Sequence, residues 1–380
     1  MDIIVKYIDE LLEKSTPEAP MWNIEKIRQG LKSNWNYIDG VMIKAVLQMY
    51  DVTKDEKYLK FADNFIDYRV HEDGTIDGYN IGEKNIDNVN AGKTLFELYD
   101  LTGKEKYRKA IDLVYSQIEI MPRCNNEARS FWHKDIYPNQ VWLDGLYMGL
   151  PFYLEYETRY NDRKNYSDIF GQFKFVIENM RNPINGLYFH AMDTSREAFW
   201  CDKVTGLSQH CWLRASGWYA MALLDTLDKV DNSDHKYDAE CKMLEDAFVE
   251  LMDSMLKYQD ESGMWYQVVN YGGMEKNYLE TSGSSIMAYA ILKGVRLGYL
   301  PENYREYAEK AINGICDKYL NIKDGEMSLG GICLVAGLGG KGNRPGTYDY
   351  YMSEPIVEDD AKGVGPFLLA YTEMLAYKNR

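Results

Sequence analysis

The feature that most constrains this chain is a repeat. The segment YDVTKDEKYLKFADNFIDY, beginning at Tyr50, returns as YDLTGKEKYRKAIDLVYSQI from Tyr99. In each, a threonine (Thr53, Thr102) marks a short turn, a Lys/Glu cluster opens a new helix, and a tyrosine (Tyr58, Tyr107) anchors it. A weaker copy starts at Tyr156, with echoes from Leu223 and Leu292. Recurrence at this period signals stacked helical hairpins, not independent domains.

Each copy has two parts. One is apolar and rich in small residues, expected as a helix buried all round: 38–50, 87–100, 143–160, 213–229, 283–298 and 362–376. The other is amphipathic and charged, expected to cover the first: 55–69, 104–119, 165–180, 235–258 and 302–319. The N-terminal segment 2–14 supplies a sixth outer helix. The expectation is an all-α fold, an (α/α)6 barrel formed by one catalytic domain over residues 1–380. An open solenoid is the alternative, but it would need polar caps at both ends, and pairing 2–14 with the last inner helix removes that need. With 46% apolar residues, the chain can fill such a core.

The connections from each outer helix to the next inner one are long: 15–37, 70–86, 120–142, 181–212, 259–282 and 320–361. They are rich in Trp, Tyr, His and Gly, and in this topology all emerge at one end of the ring. Long loops in a compact domain are commonly functional, so that end is the expected binding face. The 32 tyrosines and 8 tryptophans suit either sugar stacking or a core of large side chains.

A net charge of −16 argues against nucleic acid and anionic membranes as partners. No obligate protein partner is expected. Six scattered cysteines without a C-x-x-C spacing, and five isolated histidines, give no zinc-site pattern. The start, MDIIVKYIDELLEK, has helical period and charge, unlike a secretory leader, and no apolar run would span a bilayer. The expected location is cytoplasmic.

Within FWHKDIYPNQVWLDGLYMGLPFY, residues 131–153, only Lys134, Asp135 and Asp144 are ionised at neutral pH. Asp144 stands alone among Trp142, Leu143, Leu146 and Tyr147. Poor solvation there favours a neutral carboxyl, the form required of a general acid. Asp87 in NIDNVNAG and Arg214 in CWLRASGWYAM also fall in the first turns of inner helices, so all three converge on one face. Asp87 alone reads equally well as a first-turn acid favoured by the helix dipole. Arg214, between Trp212 and Trp218, suits a bidentate carboxylate clamp, or an internal ion pair with Asp87 or Asp144. His133 and Lys134, immediately before Asp135, and His190 on another connection are further candidates. Trp35 and Tyr37 could wall a sugar site.

These residues carry a resemblance. WNYIDGV, IDNVNAG, FWHKDIYPNQVWLDGLYMG, GLYFHAMD, RASGWYAMALLD, YLETSGSS and GTYDYYMSE, in that order, resemble the unsaturated rhamnogalacturonyl hydrolases, glycoside hydrolase family 105. The resemblance spans essentially the whole chain. It implies an (α/α)6 barrel without metal or organic cofactor, acting on oligosaccharides that carry a 4,5-unsaturated galacturonyl ring linked to rhamnose. It implies Asp144 as proton donor and Asp87 as the second acid. Tyr37, His133, Lys134, Asp135, Arg214 and Trp218 match substrate-binding positions, with His190 and Trp212 alongside. Two features depart from the pattern: Asn36 and Ile38-Asp39 stand where some relatives have histidines, and a glycine-rich loop extends over 336–346. The nearest alternatives are an unsaturated glucuronyl hydrolase acting on glycosaminoglycan fragments, and a sugar epimerase or isomerase using paired histidines on the same ring.

Overall fold

A computed structural model describes residues 3–378; Asp2 of the expected first helix and the two ends of the 1–380 span lie outside the described residues. Six inner helices run over Tyr37–Thr53, Lys93–Thr102, Leu143–Tyr160, Leu213–Lys229, Thr281–Arg296 and Ala361–Lys378. Six outer ones, Ile3–Glu13, Glu56–Asp67, Glu105–Ile120, Tyr166–Asn179, Asp238–Leu256 and Arg305–Tyr319, cover them. The inner segments pack in chain order, the second reaching the third through the turn Ile86–Gly92 that precedes its helix, and the last packs against the first, closing the ring into an (α/α)6 barrel. The first outer helix sits at the seam. Its Tyr7 hydroxyl donates to Asp359, just before the last inner helix, and its Asp9 takes Lys57 and Tyr58 from the next outer helix.

The sequence repeat is also a repeat of contacts. Thr53 and Thr102 each bond back to the carbonyl four residues earlier, Met49 and Leu98, which ends the inner helix. Tyr50 and Tyr99 each donate across the turn to the acid opening the outer helix, Glu56 and Glu105. Tyr58 and Tyr107 are buried, as anchors should be. Close approach of inner helices requires glycine where it occurs: a Cβ on Gly40 would lie 2.5 Å from the Ala91 Cα.

Two expectations need correction. The inner segment 87–100 is not one α-helix, because Ile86–Gly92 is a 3-10 helix that passes into α only at Lys93. Three short antiparallel ribbons also occur, 140–142 with 191–193, 320–323 with 326–329, and 332–333 with 356–357. All strands fall in the long connections.

Five of the six inner segments begin in the same way. The first backbone N–H, of Ile86, Leu143, Leu213, Thr281 or Ala361, donates to a carbonyl of the neighbouring connection: His133, His190, Gln267, Gly331 or Trp22. Helix N-termini leave such donors unpaired, and here they lace each loop to the next around the mouth. The sixth link is a side chain, Trp35 Nε1 donating to the Asn88 carbonyl at 2.9 Å. Trp35 is buried and does not line the cleft described below, so it is not the sugar-site wall expected of it.

The far end of the ring axis holds a cavity of about 440 Å³, lined mainly by inner-helix residues, among them Lys44, Asp225, Lys293 and Glu373. It is filled with ion pairs, including Lys293 with Asp225 and Asp228, and Arg296 with Glu373. Lys93 has a different task. Pro151 has no N–H, so the Tyr147 carbonyl loses its helical partner, and Lys93 Nζ donates to it at 3.1 Å.

Candidate active site

Most of the expected site residues lie at the opposite end, in a smaller cleft of about 150 Å³. Asp144 stands in the first turn of Leu143–Tyr160, held by the ribbon that pairs Trp142 with Ala191 and by the bond from Leu143 N–H to the His190 carbonyl. This places Asp144 Oδ2 at 3.3 Å from His190 Nε2. Both atoms are buried, and neither makes a hydrogen bond, to the other or to any third group. His190 is fully buried between Trp142 and Trp212, and its Nδ1 meets the Tyr351 hydroxyl at 2.7 Å. One imidazole thus stands between the carboxyl and a tyrosine on the last connection.

Asp87 has a different environment. Ile86 N–H to His133 O draws the 70–86 connection against 120–142, and Lys134 Nζ comes to 2.7 Å from Asp87 Oδ2. Burial pushes the Asp87 carboxyl up, but the Lys134 ammonium more than offsets this and holds it below its ordinary value. Asp87 is therefore a carboxylate at neutral pH, while Asp144 faces an imidazole and no lysine or arginine.

His133 lies under the cleft, its ring stacked 4.5 Å from that of Trp142 and its Nε2 3.6 Å from Asp87 Oδ1. Burial pushes its pKa down to about 4, against the pull of Asp87. The folded state thus refuses a proton that the unfolded chain accepts near pH 6.5. This contribution to stability is complete above pH 6.5 and is lost as the pH falls toward 4, on the order of 3 kcal/mol in all. Urea unfolding of wild type and His133→Gln checks this: the stability difference between them should narrow by most of that amount from pH 7 to pH 4. A pH-independent difference would remove His133 as its source.

Arg214 forms no pair with Asp87 or Asp144. Its Nη1 donates to Ser282 Oγ (3.2 Å) and to the Cys333 carbonyl (2.6 Å), and its guanidinium carbon lies 4.8 Å from the Trp212 ring centroid. Trp218 completes the floor, stacked on Tyr147 at 4.9 Å. Tyr37, Asp87, His133, Lys134, Asp144, Trp212, Arg214 and Trp218 line the cleft together, and His190 lies directly behind Asp144. Asp135 does not join them: it is exposed and turns to Lys84 at 3.8 Å. Glu25, Tyr137, Trp142, Met148 and Arg344 line the cleft without having been expected there. Tyr137 and Trp142 were visible within the motif around Asp144. Nothing local marks Glu25, which reaches the cleft through its ion pair with Lys362 at 2.7 Å.

Comparison with known proteins agrees with the fold. The model of Glycosyl Hydrolase Family 88 matches residues 8–378. A solved glycoside hydrolase of family 105 from C. acetobutylicum is 42% identical, covering 99% of this chain and 98% of its own, with a TM-score of 0.88. Unsaturated rhamnogalacturonyl hydrolase YesR of Bacillus subtilis is 25% identical over 91% of both chains. The unsaturated glucuronyl hydrolase of Bacillus sp. GL1 covers 90% of this chain and 86% of its own at 15% identity and a TM-score of 0.63, and shares the fold alone. The chain belongs to Glycosyl Hydrolase Family 88 and, with its C. acetobutylicum relative, to glycoside hydrolase family 105: it is a glycoside hydrolase built on an (α/α)6 barrel.

Proposed function

We propose that this chain, acting as one catalytic domain, hydrolyses 4,5-unsaturated galacturonyl-rhamnose oligosaccharides derived from rhamnogalacturonan I. The observation that carries the reading is the unequal pair of acids: Asp144 against an imidazole in an aromatic wall, Asp87 against a lysine. An unsaturated uronate has an enol-ether double bond between C4 and C5, so no displacement at C1 is needed. Asp144 gives its proton to C4, leaving oxocarbenium character at C5. Water adds there and loses its proton to Asp87, or to Asp144 once that is a carboxylate. The resulting hemiketal opens, and the rhamnose-bearing alcohol leaves. Arg214 holds the uronate carboxylate through the N–H groups not committed to Ser282, Cys333 and Leu334, with Trp212 and Trp218 excluding water. A buried, preorganised guanidinium costs no reorganisation when charge shifts in the ring.

The choice of rhamnogalacturonan rests on the similarity to the Bacillus subtilis enzyme over most of both chains. A cytoplasmic setting is supported by the six cysteines, all free thiols. No described helix is long and apolar enough to cross a membrane.

The test follows the ultraviolet band of the conjugated unsaturated uronate, which hydration removes. The band should vanish with an unsaturated galacturonyl-rhamnose disaccharide and persist with unsaturated glycosaminoglycan disaccharides. The reverse preference would assign a glucuronyl hydrolase. An unchanged band, with an isomerised sugar as product, would assign an epimerase.

A further inference from the structure

Arg344 lies on the glycine-rich loop 336–346 and spans the mouth of the cleft. Its Nη2 donates to the Tyr137 hydroxyl at 2.9 Å and its Nε to the Gly339 carbonyl at 3.3 Å. The loop is shaped to deliver it there. Gly339 and Arg344 exchange both backbone bonds, at 2.8 and 3.2 Å. Gly339 and Gly340 have φ of +63° and +66°, where a side chain would be strained. A Cβ on Gly340 would come 2.8 Å from the Tyr137 hydroxyl, and one on Gly337 would come 2.6 Å from Arg344 Nη1.

All direct partners of Arg344 are neutral acceptors. Among the described residues, no carboxylate lies within the 4.0 Å of an ion pair, and Nη1 makes no hydrogen bond. Glu354 feels its charge but shares its carboxyl with the Tyr350 hydroxyl instead. Arg214 and Arg344 lie at opposite ends of the segment 333–337. Arg214 is buried and bonded to the carbonyls of Cys333 and Leu334, while Arg344 is half-buried against Gly337. One uronate carboxylate satisfies the buried guanidinium. The outer one is then left without an anion, in a cleft that belongs to a chain of net charge −16.

We infer that Arg344 is a specificity-determining residue, which binds a second anionic group carried by the substrate beyond the scissile bond. The substrate class is then a dianionic oligosaccharide, its second charge being either the carboxylate of a further uronate or a sulfate ester on the adjacent sugar. This inference rests on the reading of the function given above. A fork of N–H donors meeting such an anion forms charge-assisted bonds, which favour the dianionic substrate by roughly tenfold or more.

Three unsaturated substrates test it: the plain uronyl-rhamnose disaccharide, the tetrasaccharide with an internal galacturonate, and the disaccharide sulfated on rhamnose. For wild type, the ratio of kcat/KM on one dianionic substrate to that on the plain disaccharide should be roughly tenfold or more. The favoured arm identifies carboxylate or sulfate. Arg344→Gln should bring that ratio close to one, whereas Arg344→Lys, which keeps the charge, should retain part of it. Should Arg344→Gln not fold, wild type alone decides, since a preference due to charge shrinks as salt is added. Equal kcat/KM on all three substrates, a ratio unchanged by the Gln variant, or a preference indifferent to salt would overturn the assignment of Arg344. A plain disaccharide left intact by wild type would instead sink the reading of the function itself.

Discussion

Asp144→Asn is expected to abolish turnover of the unsaturated disaccharide while leaving binding measurable by calorimetry. An amide of the same shape keeps the cleft intact but carries no acidic proton to donate to carbon. General acid catalysis is typically worth 10²–10⁴-fold, and a reaction that begins with protonation at C4 has no other entry, so the loss should reach the upper part of that range. Neither neighbour of Asp144 can replace it. His190 is fully buried behind the carboxyl and tied to Tyr351 at 2.7 Å, and Asp87 is held ionised by Lys134. A variant retaining more than about a tenth of wild-type kcat would place the proton donor elsewhere.

Glu280→Ala should give the largest loss of stability, on the order of 3–5 kcal/mol by urea unfolding. Glu280 is fully buried and caps the inner helix Thr281–Arg296. Its two oxygens accept from Ser282 N–H (3.0 Å), Ser282 Oγ (2.7 Å), Gly283 N–H (2.7 Å) and Cys333 N–H (3.0 Å). Removing it leaves four buried donors without an acceptor, each costing about 1–3 kcal/mol if nothing relaxes. Water entering the vacated space reduces that total. Ser282 and Cys333 also hold Arg214, so kcat/KM should fall together with stability. Glu280→Gln, which retains one oxygen acceptor, should lose less of both. A loss below about 1 kcal/mol for the alanine variant would show that these donors find other partners.

Both predictions depend on residues of very different visibility in the sequence. Asp144 was legible because a charge inside an apolar, aromatic run has few structural explanations. The ring was legible because Thr53 and Thr102, and Tyr58 and Tyr107, recur in matching turns, and a hairpin that cannot bury its own apolar face must stack on another copy. Glu280 was not legible. It sits in an ordinary motif, YLETSGSS, and owes its importance to Cys333, which is close only after the ring has closed. Asp135 misled for the converse reason: it directly follows two cleft residues in the chain, yet its backbone N–H bonds to the Lys84 carbonyl and its side chain points out.

The sequence by itself determined the helical period, the alternation of buried and covering helices, the end of the ring at which long connections gather, and the acid set in its aromatic wall. These are local properties, written in the spacing of apolar residues and the chemistry of turns. Only the tertiary structure decided which groups became partners: Lys134 for Asp87, an imidazole for Asp144, backbone carbonyls for Arg214, and no ion-pair partner for Arg344. Such pairings join segments far apart in the chain, and they are set by loops whose hydrogen bonds form around the mouth once the six inner segments have packed.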